Sequence, residues 1–157
     1  MKSIILLLIG TFILISAKCK KDSIDTKNVP LYFRNNSNHL IYIYINDDEQ
    51  YKAVYSDTLI TNFEMRVNGP IKSHTSEMIT EGGASWKNIF EVTVPNDTLS
   101  LFVIAEDTLH KYSWGTIRSS YLIMQRYDLS LQDLEKRNFE IEYPYDSTRG
   151  KMKVYTR

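Results

Sequence analysis

Three histidines, His39, His74 and His110, are the side chains best suited to bind a metal or move protons near neutral pH. They lie on separate segments with no HxxxH-type spacing. A zinc site needs three or four converging donors, and the chain has one cysteine, Cys19, so solvated loop histidines are the simpler reading. Asp47-Asp48-Glu49 offers hard oxygens for calcium but lacks the alternating ligands of a dedicated loop, and reads as a hairpin turn. Nucleophilic catalysis has no GxSxG to rest on, and Thr75 and Ser76 are mere neighbours of His74. Glu140 and Glu142 share one face of a strand and fit a solvated exterior better than an acid/base pair. Gly82-Gly83 lacks the lysine and helix of a phosphate loop. No catalytic residue, metal or cofactor is therefore expected. A non-catalytic binding or scaffold module stands first, and a small hydrolase or other enzyme without a motif is the alternative.

Recognition then falls to the aromatic residues. Tyr42 and Tyr44, two apart, would stand on one strand face about 6.5–7 Å from each other and could stack on sugar rings. Trp86 and Trp114 are the larger candidates for the same role. Core packing is the competing reading for all four.

Cys19 bears on location. Met1 to Ala17 has a basic n-region at Lys2, an apolar run from Ile4 to Ile15 broken only by Gly10 and Thr11, and the small pair Ser16-Ala17. That run is shorter than the roughly 20 apolar residues that span a bilayer. An apolar residue and two small ones before a cysteine mark a lipoprotein signal, although Lys18 intrudes directly before Cys19. The alternative is an ordinary signal cleaved after Ala17, leaving a lone thiol. Acylation (palmitate, for example) removes a thiol that would otherwise cross-link chains in an oxidising compartment. The expected organisation is an export signal over 1–18, a polar tether over 19–28, a folded domain over 29–144 and a C-terminal tail over 145–157. The expected address is the cell envelope, at the outer membrane, held by an N-terminal lipid.

Loss of Lys2 and Lys18 from the 19 basic residues leaves 17 against 19 acidic ones, a net charge of −2. With no basic surplus to neutralise phosphates, nucleic acid is not an expected partner. An envelope protein or a glycan is.

The elements that must position these residues are mostly strands. Residues 30–34 read as one, stopped by Asn35-Asn36-Ser37-Asn38. LIYIYIN over 40–46 alternates Ile41, Ile43 and Ile45 against the two tyrosines. Weaker candidates are 51–55, 63–67 (ended by Asn68-Gly69-Pro70) and 75–80. IFEVTV over 89–94 and LSLFVIA over 99–105 read as firm strands, the second apolar on both faces and so central in a sheet. Ser113 can cap a helical turn over 114–119, and 121–127 reads as a strand. Ser130 with Asp133 forms a variant capping box, and Leu129 with Leu134 a staple, which predicts a helix of about two turns before Asn138. Phe139, Ile141 and Tyr143 then alternate with the glutamates as a half-buried strand. Short strands with frequent turns predict a mainly β, single antiparallel β-sandwich-like domain with one or two short helices in its C-terminal third. Its core should hold Ile41, Ile43, Ile45, Leu101, Val103, Ile123, Phe139 and Ile141.

The tryptophan before TIR, the run RYDLSLQDLE and the strand ending in Tyr-Pro, with NGPIKSHTSEMI and GGASWKNIF upstream, resemble a group of small lipoproteins of gut Bacteroides and relatives. The likeness covers most of residues 30–145. That group has no assigned activity, so the resemblance implies a lipoprotein address and a compact β-rich domain, and no site residues. Exported proteins of such bacteria resemble this chain in one more pattern, Asp-Ser or Asp-Thr followed by an apolar residue or Thr. It would make Ser23, Thr58, Thr98, Thr108 and Ser147 O-glycan acceptors; equally, Asp-Ser and Asp-Thr are common turn dipeptides.

Overall fold

The computed structural model describes residues 29–46, 67–83, 85–149 and 152–156. The signal, Cys19, the tether, Ser23, Thr58, the Asp47-Asp48-Glu49 turn and the strand expected over 51–55 lie outside the described residues, as does 63–66.

The described chain is mainly β, in two sheets that face each other as a sandwich. β1 (Leu31–Asn35) is the middle of a three-stranded sheet, flanked by β4 (Thr75–Thr80) and β7 (Glu140–Tyr143). β2 (Ile41–Asn46), β3 (Val67–Ile71), β5 (Leu99–Ala105), β6 (Gln125–Leu129) and β8 (Lys153–Thr156) form the second sheet, in the order β3-β2-β5-β6-β8. Every pair is antiparallel except β1 with β7, which runs parallel. That pair joins strands about a hundred residues apart, with most of the second sheet built in between. The chain after Pro144 contributes β8, paired with β6, so the sheet continues into the segment expected as a tail.

Two cores flank the larger sheet. Leu31, Phe33 and Ile141 of the small sheet meet Ile41, Ile43, Ile45, Leu101, Val103 and Tyr127 of the large one. On the other side Tyr44, Phe102 and Ile104 pack with Ile117 and Ile123. β5 is buried on both faces and lies third of five strands, as its doubly apolar sequence requires. All eight expected core residues are buried, although Ile123 belongs to the second core. The buried Asn35 ties the sheets together. Its amide nitrogen donates to the carbonyls of His39 (2.7 Å) and Ile71 (3.0 Å), and its oxygen accepts from the Ser37 backbone (3.0 Å). This Asx turn closes the β1–β2 loop without leaving a buried polar atom unpaired.

Four expectations are corrected. Residues 89–94 are no strand: α1 (Trp86–Asn88) runs into a π turn over Ile89–Thr93. Trp86 and Phe90, four apart, both turn inward, with ring centroids 6.4 Å apart and Trp86 also 5.9 Å from Phe139. Strand alternation would have buried Val92, which is 60% exposed. Core packing has overridden β propensity there. Secondly, β3 continues through Asn68-Gly69-Pro70 rather than stopping at it. Thirdly, α2 (Glu106–Lys111) follows β5 directly, with no helix expected. Fourthly, β6 begins at Gln125: Tyr121 is left-handed, and the Leu122 and Ile123 amides donate to the Ile117 and Tyr121 carbonyls in the turn that precedes it. The two capped helices form as expected: α3 (Trp114–Ser119), with Ser113 accepting from Thr116 N, and α4 (Leu131–Lys136), with the complete Ser130–Asp133 capping box.

Gly69 lets β3 pass over Tyr42. At its φ of 142° an added Cβ would stand 2.9 Å from Tyr42 Cδ1 and 3.0 Å from the Ile41 carbonyl oxygen. The ring thus packs on bare backbone, filling the space a side chain would take. Gly69→Ala combines an unfavourable φ with a backbone clash and is expected to cost about 2 kcal/mol. Urea unfolding measures this; a loss below about 0.5 kcal/mol, the range of neutral surface changes, would contradict the close approach.

Candidate binding notch

The outer face of the large sheet carries two different environments. Its apolar half lies under α2 and α3. There the Ser113 cap makes Trp114 the first residue of α3, with its ring 6.0 Å from Tyr44, which in turn lies 5.6 Å from Phe102. Trp114 is half-buried, one side resting on this stack. Beside it, Leu109, Tyr112, Trp114 and Ile117 line an open notch of about 120 Å³. Pockets that hold drug-sized ligands measure roughly 300–1,000 Å³. A dry cavity of about 150 Å³ holds benzene. The notch therefore suits one side-chain-sized apolar group. Tyr112 is 39% exposed, and Lys111 Nζ lies 5.2 Å from the centre of its ring.

The other half of the face is charged. Asp128 accepts from Arg126 Nε (2.9 Å) and Nη2 (2.7 Å) and from Ser100 Oγ (3.1 Å), with Lys153 Nζ at 3.6 Å. Arg126 also donates to Tyr121 (3.2 Å) and lies 4.2 Å from the centre of the Tyr155 ring. Burial alone lowers the pKa of the Arg126 guanidinium. Its hydrogen bonds to Asp128 and Tyr121 outweigh that, and the net shift is upward. Both partners are buried and bidentate, so the pair reads as an architectural clamp rather than a place for a ligand.

The aromatic candidates separate. Tyr44 is 0% exposed and Trp86 3%, so neither offers a free ring for stacking, and that role is corrected for both. Trp86 lies in the core between the sheets, where its Nε1 donates to the Val29 carbonyl (2.7 Å). Tyr42 is half-buried against Gly69. Only Trp114 of the four borders a concavity among those described, and Tyr44 supports it from beneath. Leu109, Tyr112 and Ile117 are site residues that sequence reasoning missed. The spacing of Leu109 and Tyr112, three apart just before the Ser113 cap, was the available signal.

Elsewhere, His39, His74 and His110 are exposed on separate elements, with His74 Nε2 3.2 Å from Asn38 Oδ1. Among the described residues no group of three or more His, Cys, Asp or Glu side chains could hold a metal. The expectation of a solvated Glu140–Glu142 face is corrected. Glu140 accepts from Arg34 (2.7 and 3.0 Å) and Ser76 (3.1 Å), and the buried Glu142 accepts from Asn36 (3.2 Å) and lies 3.7 Å from Arg137. The hydroxyl of Tyr127 meets the Gln125 side-chain oxygen and the Glu142 carbonyl, stitching β6 to β7, and burial pushes its pKa upward. Of the hydroxyls that could carry a glycan, Ser147 is exposed, while Thr98 and Thr108 are half-buried and Thr98 Oγ1 donates to the Asn96 carbonyl (3.0 Å). Among the described residues no helix is long and apolar enough to cross a membrane. No family model, curated protein or solved structure matches this chain.

Proposed function

We propose that this chain is an exported, lipid-anchored protein of the cell envelope whose β-sandwich-like domain is a non-catalytic binding module. Cys19, behind an apolar run and Ser16-Ala17, supports the anchor, with the membrane as one partner through the lipid. The notch carries the binding reading: an exposed tyrosine and a braced tryptophan flank a concavity sized for one apolar group. Aromatic rings held rigidly beneath a surface lose little entropy on contact, which is why such residues dominate binding hot spots. The partner is an envelope protein.

Tyr112→Ala tests this, because Tyr112 is exposed and its loss should leave the fold intact. Full-length protein is used to capture partners from envelope extract, and the captured partner is then titrated against both forms. The variant is expected to bind at least about tenfold more weakly, equivalent to 1.4 kcal/mol. Equal affinity removes the notch from the interface. Capture of a glycan instead changes the partner class, and turnover of any screened substrate makes the protein an enzyme.

A further inference from the structure

The point where the chain enters the domain bears on which side of the sandwich meets the membrane. We infer that the outer face of the small sheet rests on the anchoring bilayer, with Tyr32 and Met78 seated among the lipid headgroups. This rests on the lipid anchor at Cys19. Val29 packs on the core between the sheets, and its carbonyl is held by Trp86 Nε1 (2.7 Å). β1, the middle strand of the small sheet, follows at Leu31. Cys19 stands ten residues before Val29, so a lipid there keeps Val29 within about 33–36 Å of the headgroups even at full extension. The α2–α3 layer lies on the far side of the large sheet, over the second core. Turning that layer to the bilayer would lift the small sheet by two layers, about 20 Å. More than half of the chain's full reach would then be taken up by height, and a chain held that straight gives up many of its conformations. With the small sheet facing the bilayer no such span is needed.

The surface itself suits that contact. Leu31 and Phe33 point inward with no exposed surface, which leaves Tyr32 on the outside, 40% exposed. Its register partner on β4 is Met78, 48% exposed, so two large apolar side chains lie side by side close to where the chain enters. Tyrosine has an apolar ring with a polar tip and collects at membrane–water interfaces, and the flexible methionine thioether fits an uneven apolar layer. Glu140, the partner of Tyr32 on β7, is paired with Arg34 (2.7 Å) and accepts from Ser76 Oγ (3.1 Å), so its charge is balanced within the face. Glu77 has the opposite parity on β4, in register with the inward Phe33, and Glu81 lies beyond the end of that strand. With those acids nearby and no basic cluster among the described residues of the face, the contact is apolar and needs no anionic lipid. The notch, on the other side of the large sheet, stays open to the aqueous phase.

The two tryptophans report on this directly, because Trp86 touches Val29 and Trp114 lies on the outer side of the large sheet. Full-length protein labelled with fluorotryptophan is held in phosphatidylcholine nanodiscs containing a little gadolinium-chelating lipid, and the paramagnetic broadening of each fluorine signal is measured. Broadening falls steeply with distance from the headgroups. Trp86 should broaden severalfold more than Trp114, and an indole introduced by Tyr32→Trp more than either. Added salt or phosphatidylglycerol should leave that order unchanged. Tyr32→Ser/Met78→Ser, at two exposed positions, should bring the Trp86 and Trp114 broadening close together while the lipid keeps the protein on the disc. Equal broadening of the two tryptophans in wild type, or a double variant that broadens like wild type, overturns the inference while the anchor stands. So does an introduced indole at position 32 that broadens no more than Trp114, or an order that emerges only with phosphatidylglycerol. Protein that does not associate with the discs contradicts the anchor itself, and the inference falls with it.

Discussion

Replacing Ile43 with aspartate is expected to unfold the protein. Ile43 lies on β2 with no exposed surface, hydrogen-bonded between β3 and β5 and facing the small sheet. Its register partner Val103 and its neighbours Ile41 and Ile45 are all apolar and buried, with no cation among the residues of that cluster to meet a carboxylate. The variant loses the transfer energy of a buried aliphatic side chain and must bury either a charge or a protonated acid without a partner. Together these cost about 5 kcal/mol or more, against a total stability of roughly 5–15 kcal/mol. Circular dichroism and urea titration measure it directly. A variant that melts like wild type would mean that the facing of β2, and with it the assignment of Tyr44 to the outer side, is wrong.

A comparable loss is expected from Asp128→Ala, for a different reason. Arg126 and Asp128 are both buried on the outer face of the large sheet, opposite Phe102 and Ser100 in register. Removing the carboxylate leaves a buried guanidinium with Tyr121 and the Tyr155 ring as its remaining contacts among those described above. Breaking one side of such a pair typically costs about 3–5 kcal/mol, because the surviving charge keeps its desolvation penalty. Replacing both residues with apolar ones of similar size, as in Arg126→Met/Asp128→Leu, removes charge and penalty together. The double variant is therefore expected within about 1.5 kcal/mol of wild type. The urea midpoints of the single and double variants distinguish the two cases. A single variant that loses under about 1 kcal/mol would show the pair to be solvated.

Local signals in the sequence carried much of the architecture. β5 announces its central place by being apolar at both parities, and Ser113 and Ser130 mark the starts of α3 and α4 with side chains that can accept from their own third-position amides. The alternating isoleucines of β2 likewise place its inner face. Signals that depend on distant packing were not readable. The 89–93 turn follows the strand-like IFEVT because Trp86 and Phe90 must reach Phe139. α2 has acids in its first turn and His110 and Lys111 in its last, a charge order that favours a helix, yet it has no side-chain cap to mark its start. The notch inherits that gap. It is assembled from the end of α2, the connection and the start of α3, so a chain read without α2 contains Trp114 but not the surface beside it. β8 is four residues long and gains its place only by pairing with β6.

The proposed lipid anchor is tested most directly by metabolic labelling with a fatty acid. Wild-type protein and Cys19→Ser are expressed in a Gram-negative host carrying its own lipoprotein-processing machinery, then separated into membrane and soluble fractions. The wild type is expected to take up label and sediment with membranes. The Cys19→Ser variant should take up none and move to the soluble fraction, since a chain without the lipid has only its uncleaved apolar run, shorter than a bilayer span, to retain it. A wild-type protein that takes up no label, or a variant that stays on the membrane to the same degree, would contradict the anchor at Cys19.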